Sequence, residues 1–391
     1  MKEESLVDSA ISKVRSAKRA FCRFITANDT GDTGAHQAGF YIPKGAALLL
    51  FDTPGQKGEN KSRFARIRWQ DDFTTESRFV YYGRGTRNEY RITRFGKNFP
   101  FFLEPATGDL LIIAQEAPDD YAAFVLSTDQ DIECFLTYFN LTPGTLNRLI
   151  DTSASPIGHD ALGEALRCIA EKFNDFPSTT DIGRLARACY DTTFHIKPDF
   201  VRHDPDAILL HWFNTEYRLF RCFEDKLYRD IYQQPFSCCQ DLIDFANSIL
   251  NRRKSRAGKS LEHHLAAIFS ANGLHYEQQV VTEGNRRPDF IFPSGKAYHD
   301  LTFHTSKLIF LGAKTTYKDR WRQILNEADR IGHKYLFTLQ QGISKNQLDE
   351  MKSEHVTLVV PKAYRQCFPE ASRRDIKTLS SFVEQVRSGQ T

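Results

Sequence analysis

The chain has 391 residues, of which 41% are hydrophobic and 26% are charged, and its formal net charge is +3. This composition is typical of a soluble globular protein of about two domains, and so small a net charge does not by itself indicate a nucleic-acid partner. No run of about 18 apolar residues predicts a membrane span, and the first twenty residues lack the apolar core of a signal peptide, so we expect a cytoplasmic protein.

The first 150 residues or so predict a β-rich domain. In segment 64–69, Ala65, Ile67 and Trp69 alternate with Arg66 and Arg68, which predicts a half-buried strand with a basic outer face. Many short strands separated by Gly, Pro, Asn and Asp turns favour a small barrel or sandwich. The predicted strands are 47–52, 64–69, 78–82, 109–114 and 122–126.

The second half predicts an α/β domain, because helical and extended segments interleave. Helices are predicted at 205–232, 240–251, 259–271 and 317–331, and strands at 276–281, 289–292, 308–313, 334–338 and 357–360. A Ser-, Pro- and Gly-containing stretch between the halves resembles a linker. We therefore predict an N-terminal domain over 1–155, a linker region over 156–180 and a C-terminal domain over 181–391.

Basic residues cluster at three places in this nearly neutral chain. Such clusters suit a polyanion that is met at defined positions, although a solvated protein face is the commoner explanation of any one cluster. The clusters are Arg63, Arg66, Arg68, Arg84, Arg87, Arg91, Arg94 and Lys97; Arg252, Arg253, Lys254, Arg256 and Lys259; and Lys314, Lys318, Arg320 and Arg322.

The stretch EGNRRPDFIFPSGKAYHD, residues 283–300, places Asp289 after a proline and before a short apolar strand. Lys314 follows 25 residues later, and Glu327 another 13 residues on. A metal-dependent nuclease needs such a set, because Mg²⁺ is held by carboxylates and a phosphate oxygen while a lysine positions water or stabilises phosphoryl charge. Each residue alone also fits a plain role: Asp289 as a strand-end residue, Lys314 and Glu327 as solvated groups.

Longer sequence segments favour the nuclease interpretation, because they resemble a known enzyme family. The segments KSRAGKSLEHHL, VTEGNRRPDFIFPSGKAYHD and GAKTTYKDRWRQILNEADRI resemble the catalytic half of EcoRII-type (Type IIE) restriction endonucleases. ANDTGDTGAHQAGFYIP and GTRNEYRITRFGK resemble the N-terminal effector domain of the same enzymes. The likeness is anchored in roughly 20–100 and 240–340.

This resemblance implies a multidomain fold with an N-terminal B3-like DNA-binding pseudobarrel and a C-terminal α/β restriction-endonuclease-like domain. It also implies a rearranged PD-(D/E)xK site of Asp289, Lys314 and Glu327, in which Asp289 and Glu327 hold Mg²⁺. Glu262 matches an acidic helix residue of that site, and Tyr298 matches a family active-site tyrosine.

The resemblance further implies DNA contacts. Lys318, Asp319 and Arg320 match the base-reading segment, and their side chains suit guanine and cytosine edges, although an ordinary helix turn of mixed charge gives the same pattern. A base-flipping pocket would use Trp212, Phe213 and Tyr217, which an apolar helix face explains equally well. The matching N-terminal residues are His36, Tyr41, Arg87, Asn88, Glu89, Arg91 and Arg94.

We therefore expect a Type II endonuclease that cuts double-stranded DNA at a short G·C-rich, CCWGG-like palindrome as a homodimer. A second site bound by the N-terminal domain would act as effector, for example by unblocking the cleft, and a cognate cytosine methyltransferase would be the functional partner. A non-catalytic DNA-binding regulator and a repair nuclease of the same fold are the alternatives. His263 and His264 point about 100° apart on a helix, so they share no ligand face and are expected at the surface.

Overall fold

The computed structural model describes residues 5–30, 39–97, 99–150, 160–316, 318 and 320–390, without the side chains of residues 72, 104 and 320. The chain forms two compact units. The first comprises residues 1–152, 340–350 and 366–374, and the second comprises 153–339, 351–365 and 375–391. The domain limits 1–155, 156–180 and 181–391 stay a prediction, to which the structure adds two C-terminal segments that pack with the first unit. In the described part of the chain, no helix has the length and apolar content of a membrane span.

The first unit is built on a seven-stranded sheet in the order β1-β6-β7-β3-β4-β5-β2, in which only the β3–β7 pair is parallel. Its strands are β1 Arg19–Phe24, β2 Phe40–Ile42, β3 Lys61–Trp69, β4 Thr74–Tyr82, β5 Glu89–Thr93, β6 Leu110–Ala117 and β7 Asp120–Leu126. Its helices are α1 Leu6–Ser16, α2 Ala27–Thr30, α3 Ala47–Leu50 and α4 Asp129–Tyr138.

Both faces of this sheet are covered, and the sequence of β6 shows why. Leu111 and Ile113 enter one apolar core, while Leu110 and Ile112 enter a second core that includes the buried apolar residues of α1 and α4. A strand buried on both faces is a continuous apolar run rather than an alternating one. The alternation predicted for β3 is also present, and the expected β-rich N-terminal half is confirmed.

One predicted strand of this half is wrong. Residues 47–50 form the short helix α3, in which Ala47, Leu49 and Leu50 are buried. A short apolar run fits a buried helix turn as well as a buried strand, and its periodicity does not distinguish the two. The sequence prediction also missed strands β1, β2 and β5.

The second unit contains a six-stranded sheet in the order β13-β12-β11-β10-β9-β8, parallel from β10 to β13 and antiparallel from β8 to β10. Its strands are β8 Glu277–Gln278, β9 Phe290–Phe292, β10 Ile309–Lys314, β11 Lys334–Thr338, β12 Val356–Val360 and β13 Lys377–Thr378. The remaining α-helices among the described residues are α5 Ala161–Ala170, α6 Thr179–Thr193, α7 Pro198–His203, α8 Pro205–Tyr232, α9 Cys239–Ala271, α10 Gly295–His299, α11 Lys345–Ser353 and α12 Leu379–Gln390. One apolar core joins this sheet to α5, α6, α8, α9 and α12, which confirms the α/β prediction.

Two helix predictions need correction. Segments 240–251 and 259–271 are parts of one 33-residue helix, α9, because the Arg and Lys residues between them are good helix formers. The helix predicted over 317–331 is instead a 3₁₀ segment, Arg320–Asn326, followed by a turn in which Ala328 has φ 53°. Side chains from elsewhere bind the carbonyls of this segment: Arg286 donates to that of Asn326, and Lys334 Nζ donates to that of Leu325 at 2.5 Å. These tertiary bonds occupy groups that a continuing helix would use.

Candidate active site

The Asp289 carboxylate is fixed by hydrogen bonds and contacts the predicted lysine, Lys314. It directly precedes β9, whose Phe290 lies opposite Leu311 of the antiparallel strand β10. This register brings Asp289 beside the end of β10, where its Oδ2 accepts hydrogen bonds from the Ala313 amide at 2.8 Å and from Lys314 Nζ at 3.2 Å. Asp289 is buried, whereas 42% of the Lys314 side chain is exposed, so the pair lies at the boundary between the protein interior and solvent.

Helix α9 brings Glu262 to the same place. The helix packs against β10, and the Thr315 hydroxyl just beyond β10 donates to the Ala257 carbonyl at 3.1 Å. Gln279 then joins the two acidic residues, because its Nε2 lies 3.4 Å from both Glu262 Oε2 and Asp289 Oδ1. The sequence analysis missed Gln279, and no motif could have indicated it, since a lone glutamine beside a two-residue strand carries no pattern.

The acidic groups of this site repel one another. Burial and the charge of Asp289 raise the pKa of Glu262 to about 7, and the same two causes raise the pKa of Glu327. Lys314 opposes both shifts. The predicted residues Asp289, Lys314, Glu327 and Glu262 therefore form one electrostatically coupled group, whose excess negative charge a bound cation would relieve.

Tyr298 is buried in α10, with only 1% of the residue exposed. Its hydroxyl donates to Glu283, whose two carboxylate oxygens lie at 2.7 and 2.6 Å. Of the predicted base-reading segment, Lys318 is also buried, with 7% exposed. Asp319 and the side chain of Arg320 lie outside the described residues.

In the first unit, the β2–β5 edge gathers three of the predicted DNA-binding side chains. Tyr41 of the edge strand β2 lies opposite Arg91 of β5, and Glu89 lies two residues before Arg91, so all three share one face. Arg91 Nε is 3.4 Å from Glu89 Oε1. His36 lies outside the described residues.

The other predicted DNA-binding residues of this unit lie at the two ends of β5. Arg87 and Asn88 are exposed in the turn between β4 and β5, and the Asn88 side chain accepts a hydrogen bond from the Tyr81 hydroxyl at 2.9 Å. Arg94 follows β5 at its opposite end, with φ 63°, and its guanidinium lies over the Phe64 ring. The structure therefore separates Arg94 from Arg87 and Asn88 by the length of the strand.

The basic face of β3 is largely neutralised. Arg63 pairs with Asp119 at 2.5 Å, and Arg66 pairs with Asp120 at 2.6 Å. Arg68 pairs with Glu116, on β6. These acidic residues lie about fifty positions later in the sequence, and they pair the three β3 members of the first basic cluster.

The three aromatic residues proposed to form a flipping pocket lie in the helical core. Trp212, Phe213 and Tyr217 of α8 are 4%, 0% and 2% exposed, and Trp212 Nε1 donates to Asp191 Oδ1 at 2.8 Å. An apolar helix face, the alternative reading, describes the placement of Trp212 and Phe213, whereas the buried Tyr217 ring lies against the guanidinium groups of Arg221 and Arg256.

The expectation that both adjacent histidines lie at the surface is wrong for His264, which is fully buried. Its Nε2 lies 2.9 Å from Glu216 Oε2, and its Nδ1 lies 3.2 Å from Arg187 Nη1. A buried carboxylate needs such a partner, and a helical pattern taken alone does not reveal it.

Comparison with known proteins decides the family. Residues 14–149 match the model of the N-terminal domain of restriction endonuclease EcoRII, and residues 220–383 match the model of the EcoRII C terminal. The Type II restriction enzyme EcoRII of Escherichia coli is 38% identical over 390 residues, which cover 94% of this chain and 93% of that enzyme. The chain belongs to the EcoRII family of Type II restriction enzymes.

The resemblance stated from sequence is thereby confirmed, and with it the enzyme class, Type II restriction endonuclease. A second relative of this EcoRII-family chain, the Type II restriction enzyme SsoII of Shigella sonnei, is 26% identical over 128 residues, which cover 30% of this chain and 41% of that enzyme. Among solved structures, metal-depleted Ecl18kI in complex with uncleaved, modified DNA has a TM-score of 0.47 and 18% identity, covering 59% of this chain and 84% of that one. The PspGI–substrate DNA complex has a TM-score of 0.45 and 16% identity, covering 55% and 93%.

Type II restriction endonucleases generally use a divalent metal ion, and the residues of this EcoRII-family site fit one. In the described part of the chain, no three His, Cys, Asp or Glu side chains gather as closely as an all-protein ligand set would. Mg²⁺ does not require such a set, because it is usually bound through one or two carboxylates, waters and substrate phosphate. Asp289 and Glu327 supply hard oxygen donors of that kind, and the pKa of Glu327 is raised by burial and by the charge of Asp289.

Proposed function

We propose that this protein hydrolyses phosphodiester bonds of double-stranded DNA at a short G·C-rich palindrome of the CCWGG kind. The reaction uses Mg²⁺, held by Asp289 and Glu327. The active form is a homodimer, because a two-fold DNA site is matched by a two-fold protein. A second copy of the site, bound by the N-terminal domain, activates the enzyme.

The contact between Asp289 Oδ2 and Lys314 Nζ is the single observation that carries this proposal. It joins two of the three residues of the PD-(D/E)xK pattern, at a strand end beside the carboxylates of Glu262 and Glu327. A DNA-binding regulator without catalysis has no need for such a set, since the repulsion among Asp289, Glu262 and Glu327 destabilises the fold.

Each side chain has a definite task in hydrolysis. A bound Mg²⁺ would supply Lewis acidity and a water of lowered pKa. Lys314 is already oriented by Asp289, and its ammonium stabilises the negative charge that develops on the phosphoryl group. Glu262, with a pKa near 7, is suited to take up a proton from water at neutral pH.

Recognition is assigned to residues in both units. Lys318, Asp319 and Arg320 read G·C pairs of the cleaved site, since Arg and Lys donate to guanine and Asp accepts from cytosine. The shared face of Tyr41, Glu89 and Arg91, with the exposed Arg87, contacts the effector site; this face supports the proposal because it lies on an edge strand. A cytosine methyltransferase gene beside this one would protect the host from the enzyme.

The test is to incubate the purified protein with a multi-site plasmid and Mg²⁺, beside an Asp289→Ala variant and an EDTA control, and to sequence the fragment ends. Discrete fragments with a shared terminal sequence, absent from both controls, are expected. Site-specific binding without cleavage by the wild-type protein would instead favour the regulator. Plasmids with one and with two sites then test activation, and equal cleavage rates on both would contradict an effector site.

A further inference from the structure

The backbone around Glu327 is held by side chains from two other segments. Asn326 is bound at its carbonyl by the Arg286 guanidinium. Two residues beyond Glu327, the Asp329 amide donates to Glu283 Oε2 at 3.2 Å. These bonds fix the segment on both sides of Glu327, which lies in a turn and not in a self-supporting helix.

Tyr298 takes part in the same attachment. Its hydroxyl accepts a hydrogen bond from the Arg330 amide at 3.4 Å while it donates to Glu283. The Arg330 side chain returns to the Tyr298 region, where it donates to the carbonyls of Tyr298, Asp300 and Phe303, the last two at 3.1 Å. Hydrogen bonds from both the backbone and the side chain of Arg330 therefore join the segment that follows Glu327 to α10.

The pair at the centre of this arrangement is a charge-assisted hydrogen bond. Burial and Glu283 raise the pKa of Tyr298, so the proton stays on the phenol. Burial opposes ionisation of Glu283, but the hydrogen bond from Tyr298 and the backbone amides outweigh it and lower its pKa. A bond between a hydroxyl and an ionised carboxylate is shorter and stronger than a neutral one, which suits a group that must hold a turn in place.

We propose that Glu283 and Tyr298 are positioning residues, which set the place of Glu327 through the backbone of residues 326–330. This inference rests on the proposed function for the role of Glu327 in holding a metal ion, and it extends that function to Glu283, to which the sequence analysis gives no role. Tyr298 thereby acts through Glu283 and the Arg330 amide, and its hydroxyl is occupied by these two partners.

The experiment compares Glu283→Gln, Tyr298→Phe and the double variant in the full chain. Hydrogen–deuterium exchange of the peptide covering 325–331 is measured first, without metal or DNA. Cleavage is then measured against Mg²⁺ concentration. Each single variant is expected to speed exchange of this peptide at least about fivefold and to raise the half-saturating Mg²⁺ concentration at least about fivefold. The double variant is expected to match the more impaired single variant in both readouts, because the two substitutions remove the same attachment and their effects do not add.

Tyr335→Phe is the matched control, because Tyr335 is another buried tyrosine whose hydroxyl accepts a hydrogen bond from a side chain, that of Gln385. It should change neither readout. If Tyr298→Phe slowed cleavage while leaving exchange and Mg²⁺ dependence as in the wild type, Tyr298 would act at the reacting atoms and the proposal would be wrong. Unchanged exchange in both single variants would equally overturn it.

Should Glu283→Gln fail to fold, Glu283→Asp, which keeps the charge but shortens the reach, should give the same direction in both readouts. If the wild-type protein cut no DNA, the proposed function would fail. The exchange measurement would still decide whether Glu283 and Tyr298 hold the segment.

Discussion

Replacing Glu262 by glutamine should stabilise the metal-free protein while impairing cleavage. The pKa of Glu262 is raised to about 7 from the 4.5 of an ordinary glutamate, first by burial and then by the charge of Asp289. Ionising this side chain therefore costs more in the folded protein than in the unfolded chain. A glutamine at this position would keep the shape of the side chain without carrying the charge.

The size and sign of the effect follow from the two pKa values. A rise from 4.5 to about 7 corresponds to about 3.4 kcal/mol, at about 1.36 kcal/mol for each pH unit. Glu262 is partly exposed, so solvent screening reduces the expected gain to about 2 kcal/mol. Below the ordinary glutamate pKa of 4.5 both states bind the proton and the carboxyl costs nothing. The folded state is then progressively destabilised as the pH rises to about 7, and the full cost persists above that.

The assay is chemical denaturation of wild type and Glu262→Gln in EDTA at about pH 5 and about pH 8. The variant should gain about 2 kcal/mol at the higher pH and much less at the lower one, and the gain corresponds to about 4–8 °C in the melting temperature of the second unit. Glu384→Gln, at an exposed position of α12, is the control and should show no such pH dependence. An equal effect of Glu262→Gln at both pH values, or a loss of stability at the higher one, would refute the electrostatic account of the site.

Three further outcomes are expected. Asp206→Ala should lower the free energy of unfolding of the second unit by about 4 kcal/mol in denaturant titrations. The reason is that the buried Asp206 carboxylate accepts hydrogen bonds from the amides of Lys362, Leu379 and Ser380, at 2.8, 2.9 and 2.9 Å. A decrease below about 1 kcal/mol would show that water replaces the carboxylate as acceptor. Lys314→Gln should slow cleavage at least about a hundredfold while changing the metal-free DNA dissociation constant less than about threefold, and a parallel loss of both would assign Lys314 to binding. In a cleavage-deficient background, Arg87→Gln should reduce the slope of the logarithm of the DNA-binding constant against the logarithm of salt concentration by about one released ion. The control Arg66→Gln, which removes an arginine already paired with Asp120, should leave this slope unchanged. Equal effects of the two variants would contradict the role given to the β4–β5 turn.

The sequence located the candidate site because short-range features carry its central pair. Pro288 and the apolar run after it predict that Asp289 enters a strand, and the strand prediction for 308–313 was right to within one residue. Antiparallel pairing of β9 with β10 then brings Asp289 to Lys314. The prediction of a helix around Glu327 is wrong because tertiary contacts, and not local features, set the structure of this segment. The side chains of Arg286 and Lys334, which lie outside the segment, bind its carbonyls.

By itself, the sequence determined the family, the two structural classes and the candidate acidic and basic residues of the proposed cleavage site, because motif strings and hydrophobic periodicity are local properties. Only the tertiary structure decided which charges meet. It paired the β3 arginines with acids about fifty residues away, buried His264 against Glu216, and placed Gln279 between Asp289 and Glu262. A periodic pattern says which face of a strand or helix is polar, but the partner that faces it is set by packing between segments far apart in the chain.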